Sequence, residues 1–139
     1  MINNKLTVGI TQGDGNGIGY EVIIKALADA RILDGFTPVI YGSSKIFGFY
    51  RKQIHNLEQL DTYVINSAKD AKAKKINILN CLPDNVYVEP GQATPDSAKS
   101  AITALERAVA DLKSGDIDVL VTGPINKRAM TNAGFGFTG

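Results

Sequence analysis

A chain of 139 residues with 44% apolar and 21% charged side chains has the composition of a soluble globular domain large enough to bury a core. Its net charge of +1 gives no electrostatic reason to expect nucleic acid or a membrane surface as a partner. The single cysteine, Cys81, excludes an internal disulfide, and the single histidine, His55, excludes a histidine-rich metal site within this chain.

The first element is a strand, because Leu6, Val8 and Ile10 alternate with Thr7, Gly9 and Thr11. A glycine-rich turn, Gly13-Asp14-Gly15-Asn16-Gly17-Ile18-Gly19, leads into a helical pattern. There Ile18, Val22, Ile23, Ala26, Leu27 and Ala30 recur at spacings of three and four. Pro38 to Tyr41 reads as a short apolar strand, and Ser43 or Ser44 can cap a helix through Ile46, Phe49, Tyr50 and Gln53. Tyr63 to Ile65, Ile76 to Leu79 and Val86 to Val88 are further short strand candidates. Lys69, Lys72, Lys74 and Lys75 form a basic cluster broken by Asp70 with no interleaved aromatic, which reads as a solvated turn. Cys81 lies in strand-like apolar chain and reads as a structural thiol.

The clearest helix spans 95–114. Thr94 is its N-cap, Pro95 its first residue and Asp96 a favourable charge near the positive end, while Gly115 suits the C-terminal cap. Ala98, Ala101, Ile102, Leu105, Val109 and Leu112 make the stripe expected to face the core. Ile117, Val119, Leu120 and Val121 are expected to form a buried strand, running through Thr122-Gly123-Pro124 into a short helix from Ile125 to Ala133. Strands alternating with helices predict an α/β fold with a mainly parallel sheet flanked by helices. Residues 1–10 lack the apolar run of a signal peptide, and nothing approaches the ~20 apolar residues of a membrane span. A cytoplasmic location is therefore the expectation.

Two loops stand where α/β sheets open to ligands, after the carboxyl end of a strand. In the first, the glycines permit positive φ and close backbone approach, and the helix start offers N–H groups to an anion. The dinucleotide fingerprint fails, since its third glycine would fall on Ile18 or Tyr20, and the lysine of a phosphate-binding loop is missing, which removes a nucleotide kinase. Gly13 and Asp14 remain as ligand candidates; alternatively Asp14 bonds backbone N–H groups and the glycines serve a tight turn. In the second loop Asn126 offers both donor and acceptor, and Lys127 could neutralise a phosphate or carboxylate. The alternative there is a helix start with a surface lysine.

Together the loops resemble a known family. Ile10-Thr11-Gln12-Gly13-Asp14-Gly15-Asn16-Gly17-Ile18-Gly19-Tyr20-Glu21 resembles the opening signature of 4-hydroxythreonine-4-phosphate dehydrogenases, approximately I-T-x-G-D-P-A-G-I-G-P-E. Thr122-Gly123-Pro124-Ile125-Asn126-Lys127, with Ala133-Gly134 and Phe137-Thr138-Gly139, resembles their second signature, T-x-P-I-N-K, A-G, F-x-G-H-T-E. Gly15, Asn16 and Tyr20 depart from the usual Pro, Ala and Pro, and are expected to loosen the first loop and to leave room for a related substrate.

The resemblance implies a fold like that of isocitrate and isopropylmalate dehydrogenases, and an enzyme of pyridoxal phosphate (vitamin B6) biosynthesis. Such enzymes oxidise 4-phosphohydroxy-L-threonine, a small phosphorylated amino acid, with NAD or NADP and a divalent metal such as zinc, magnesium or cobalt. They act as homodimers. It further implies that residues 1–122 belong to a first domain of a longer two-domain enzyme, with 123–139 leading toward the active site. Asn126, Lys127 and Thr138 would line the substrate cleft. The histidine-threonine substrate pair and the metal ligands of the family do not occur in this sequence, so the chain by itself is expected to be inactive. The competing expectation is a non-catalytic α/β module that binds a phosphorylated metabolite.

Overall fold

The computed structural model describes residues 5–57, 60–83, 85, 88–132 and 134. The expected strand at Val86–Val88 falls largely outside them, as do Ala133, Thr138 and the other residues after 134. Among the described residues five parallel strands form one sheet: β1 (Leu6–Thr11), β2 (Phe36–Gly42), β3 (Tyr63–Ile65), β4 (Asn77–Asn80) and β5 (Val119–Thr122), in the order β3-β4-β2-β1-β5. Among the described residues the α-helices are α1 (Gly19–Leu27), α2 (Ser44–Arg51), α3 (Pro95–Ser114) and, after β5, α4 (Lys127–Asn132). This is the α/β architecture expected from the alternation of strand and helix patterns.

Burial follows the two-residue period of β2. Ile40 enters one core with Ile23, Ile24 and Leu27 of α1, Phe47 of α2 and Ile78 of β4. Val39 and Tyr41 face the other way, into a core with Leu79, Ala104, Ala108 and Ile117. The sheet is thus covered by α1 and α2 on one side and by α3 on the other. Ser43 caps α2, its hydroxyl accepting from the Ile46 N–H at 3.3 Å.

Three expectations about facing are corrected. First, α1 ends at Leu27, and a 3₁₀ turn at Ala30–Asp34, capped by Asp29, follows it. Its buried side chains are Tyr20, Ile23, Ile24 and Leu27, while Ile18 and Val22 are exposed. Second, α3 has the expected ends but turns its alanines inward. Ala98, Ala101, Ala104 and Ala108 are buried, Leu105 only partly, and Leu112 is exposed. Small side chains let the helix axis sit close to the sheet, which places the larger residues on its flanks. Third, among the described residues β5 lies at the sheet edge and pairs with β1 alone. Leu120 packs against the core beneath α3, so Val119 and Val121 point to the opposite face, where they are exposed. Ile117, just before the strand, carries the burial expected of them.

Candidate functional site

The two signature loops meet at the carboxyl ends of the adjacent strands β1 and β5. The Asp14 N–H donates to the Pro124 carbonyl at 2.8 Å, and the Gly123 N–H to the Thr11 carbonyl at 3.0 Å. Gly13 makes this approach possible. Its φ is +69°, and a Cβ there would overlap the Pro124 carbonyl oxygen. Asp14 accepts from the Asn16 N–H at 3.0 Å through its side chain, and its carbonyl accepts from the Gly17 N–H at 3.0 Å. Asp14 thus shapes a local turn, as one of the two sequence readings has it.

Two of the departures from the signature, Asn16 and Tyr20, tie this loop to neighbouring segments. Asn16 is buried and binds a distant segment: its Oδ1 accepts from the Glu89 N–H at 2.8 Å, and its Nδ2 donates to the Gln92 carbonyl at 2.9 Å. Its carbonyl accepts from the Gly91 N–H at 2.7 Å. Residues 89–92 are thereby held against the loop, just before Thr94 and Ser97 cap α3 reciprocally. Tyr20, fully buried, accepts from the Ser43 N–H at 3.1 Å and donates to Gln12 Oε1. Burial pushes its hydroxyl pKa far up, so it stays a donor. Tyr50 stacks on Tyr20 and donates to the Gly15 carbonyl at 2.6 Å.

Between this loop and the start of α3 lies a cavity of about 280 Å³, with Gln12, Gly15 and Asn16 on one wall and Thr94, Ser97 and Ser100 on the other. None of Gly13, Asp14, Asn126 and Lys127 lines it. Asn126 is half-buried ahead of α4, and Lys127 is exposed as the first residue of that helix. Thr138 lies outside the described residues. Gln12 was legible in the sequence only as the variable position of the first signature.

Comparison with known proteins places the chain. The sequence profile of the pyridoxal phosphate biosynthetic protein PdxA matches residues 34–139. The chain belongs to the PdxA family. Across all 139 residues it is 42% identical to a 4-hydroxythreonine-4-phosphate dehydrogenase of Bacteroides thetaiotaomicron, covering 38% of that protein. A Clostridium botulinum relative named for D-threonate 4-phosphate dehydrogenation is 28% identical over 151 aligned positions, and the chain covers 42% of it. Among solved structures, a 4-hydroxythreonine-4-phosphate dehydrogenase from Burkholderia phymatum superposes with a TM-score of 0.81 at 30% identity, over 99% of this chain and 42% of that one. The Klebsiella pneumoniae enzyme of the same name superposes at 0.82 with 26% identity, over 97% of this chain and 42% of that one. The chain therefore spans about two-fifths of the length of these PdxA relatives. The profile match begins after the glycine loop, so the loop's membership rests on the full-length alignment to the Bacteroides protein.

Outside the loops, Cys81 follows β4, with its N–H donating to the Gly42 carbonyl at 3.1 Å. Burial raises its thiol pKa to about 11, the state of a structural thiol and not of a nucleophile. His55 and the four lysines of the basic cluster are exposed. Among the described residues no three His, Cys, Asp or Glu side chains gather closely enough to hold a metal ion, and no helix is long and apolar enough to cross a membrane.

Proposed function

We propose that this chain forms part of a cytoplasmic, homodimeric 4-hydroxythreonine-4-phosphate dehydrogenase that serves pyridoxal phosphate biosynthesis. The observation that carries the reading is the meeting of both signature loops at the carboxyl edge of the sheet, through the Asp14 to Pro124 hydrogen bond at 2.8 Å. In this reading residues 1–122 belong to a first domain and 123–139 lead into the cleft. Asn126, Lys127 and Thr138 line or brace the phosphorylated substrate, and Gly13 and Asp14 hold the facing loop in place.

The reaction is oxidation of a secondary alcohol. NAD or NADP, when bound, would supply the hydride acceptor, and the β-keto acid so formed would lose carbon dioxide. The carboxyl-edge cavity has one buried donor without a partner among the described residues, Gln12 Nε2, in its wall with Thr94, Ser97 and Ser100. The described residues do not fit a divalent metal, because no cluster of ligands forms among them. No step is assigned to a metal through these residues.

The test is reduction of NAD or NADP by 4-phosphohydroxy-L-threonine, using this sequence within a chain of its relatives' full length. D-threonate 4-phosphate serves as the rival substrate. Faster turnover of the rival would overturn the substrate assignment. Tight binding of either compound with no cofactor reduction would favour the non-catalytic module. The same assay on residues 1–139 alone is expected to show no turnover.

A further inference from the structure

The far edge of the sheet, away from both signature loops, sets an open strand beside a fixed cluster of lysines. Among the described residues β3 pairs with β4 alone. The Tyr63 N–H donates to the Ile76 carbonyl at 2.8 Å, so the polar backbone groups of Tyr63 and Ile65 face β4. Those of Val64, between them, face outward. An edge of this kind is a template for another extended segment.

The lysines stand beside that edge because the chain turns back there. Ile65 and Ala68 are buried together in the core beneath α3. Ser67 caps the 3₁₀ turn Ala68–Asp70, its hydroxyl accepting from the Lys69 N–H at 3.3 Å. Asn77, fully buried, holds the returning chain. Its Oδ1 accepts from the Lys72 N–H at 2.9 Å, and its Nδ2 donates to the Lys72 carbonyl at 3.1 Å. The backbone that carries Lys69 and Lys72 is thus fixed, while both side chains are exposed. A groove of about 470 Å³ runs between this backbone and β3, with Tyr63, Val64, Lys69, Asp70 and Lys72 in its wall.

Charge selects the occupant. Among the described residues no salt bridge engages Lys69, Lys72 or Lys75, whereas Lys74 lies 3.9 Å from Asp34. A second copy of this chain on the same edge would bring lysine against lysine. A nucleic acid would meet Asp70 in the groove and only Tyr63 as a stacking surface there. An acidic peptide satisfies both the backbone edge and the lysines. Its pattern follows from the pleat, in which successive side chains alternate between faces. Ala68 packs on the α3 side, so carboxylates belong on that face. The side chain between them meets Val64, which is exposed on the opposite face. We infer that the β3 edge docks an extended segment of another protein with acidic–apolar–acidic alternation, which pairs with the Val64 backbone and sets its carboxylates against Lys69 and Lys72. The surface stands apart from the signature loops and from the dehydrogenase reading.

The experiment uses a chain of the relatives' full length and a fluorescently labelled, end-blocked peptide, Thr-Glu-Val-Glu-Val-Thr. Its anisotropy is expected to rise saturably with protein, and the binding to weaken with added salt. Hydrogen–deuterium exchange across residues 62–66 is expected to slow on binding, because Val64 gains the kind of partner that Tyr63 and Ile65 already have. Replacing both glutamates by lysine should abolish binding. So should N-methylation of the peptide's pairing amides, which leaves its charges in place. Lys69→Glu combined with Lys72→Glu should weaken the acidic peptide by about fivefold or more, the scale of exposed ion pairs, and should let the lysine peptide bind instead. Lysines that served only the turn would not reverse that preference. Absence of saturable binding to the unsubstituted protein would overturn the inference, whether or not the variant folds. So would equal binding of the two charge forms, or binding that leaves exchange at 62–66 unchanged. Tighter binding of a single-stranded oligonucleotide at the same residues, or self-association that protects 62–66 without peptide, would overturn it in favour of a different occupant.

Discussion

Tyr20 reaches across the first signature loop to donate to Gln12 Oε1, while its oxygen accepts the Ser43 N–H at 3.1 Å. One hydroxyl thus joins the end of β1, the start of α1 and the N-cap of α2. Tyr20→Phe keeps the ring and its stacking on Tyr50 but strands a buried amide oxygen and weakens the link to Ser43. The expected cost is about 1–3 kcal/mol, the range for leaving buried polar groups unpaired. Urea unfolding of both proteins measures it, and an unchanged midpoint with an unchanged slope would show that the hydroxyl contributes nothing.

Helix α3 makes a sharper case because its sequence misleads about which face is inside. Ala104 and Ala108 are fully buried between the helix and the sheet, whereas Leu105 is only partly covered. Ala104→Leu should therefore destabilise by roughly 1–3 kcal/mol or more through overpacking. Leu105→Ala should cost about 1–2 kcal/mol, less than the roughly 2–5 kcal/mol of a fully enclosed leucine. Thermal unfolding of the two variants gives the order, and a larger loss for Leu105→Ala would mean that the helix packs by its leucine flank.

The same helix shows what was legible in the sequence and what was not. Its ends were, because Thr94, Pro95 and Gly115 act through local backbone chemistry. Its facing was legible only in part: Ala98 and Ala101 of the expected stripe are buried, but further along Ala104 and Ala108 turn inward instead of Leu105 and Leu112, and both sets satisfy the 3.6-residue period. Only the nearness of the sheet selects the smaller set. For β5 the apolar run Val119–Val121 signalled a strand correctly, but position in a sheet is a property of pairing, and among the described residues this strand pairs with β1 alone. The signature loops were legible as motifs. The link from Tyr20 to Gln12 and Ser43 was not, because Ser43 lies 23 residues beyond Tyr20 and meets it only after β2 has docked.

Cys81 sets an alkaline limit on stability. Its thiol pKa is raised from 9.0 to about 11 by burial, so the fold favours the protonated form. The sign follows from linkage: the full contribution is present below pH 9.0 and is lost as pH climbs through about 11, because the unfolded chain ionises first. Cys81→Ala should therefore lose less stability than the parent over that interval. Tyr20 and Tyr41, both raised by burial, continue to act in each protein. Denaturant midpoints taken at steps across the interval test this, and parallel curves for the two proteins would refute it. In the folded parent, iodoacetamide should modify Cys81 much more slowly than in the unfolded chain at the same pH.

Lys127 offers the most direct test of the second loop. It opens α4 immediately after Asn126, next to the Gly123-Pro124 turn that Thr11 and Asp14 hold against the first loop. Its side chain is exposed, so truncation should change folding stability by no more than about 0.5 kcal/mol. If its ammonium faces the phosphate or carboxylate of the substrate, removing it costs binding and turnover instead. In a chain of the relatives' full length, Lys127→Ala should lower kcat/KM by on the order of tenfold or more, about 1.4 kcal/mol of transition-state binding. Lys127→Arg keeps the charge and should recover part of that loss, although the planar guanidinium does not reproduce a compact ammonium. A lysine that only braces α4 predicts the opposite pattern, a lower Tm with normal kcat/KM in the folded fraction. Steady-state kinetics and thermal unfolding on the same preparations separate the two, and an unchanged kcat/KM would remove Lys127 from the cleft.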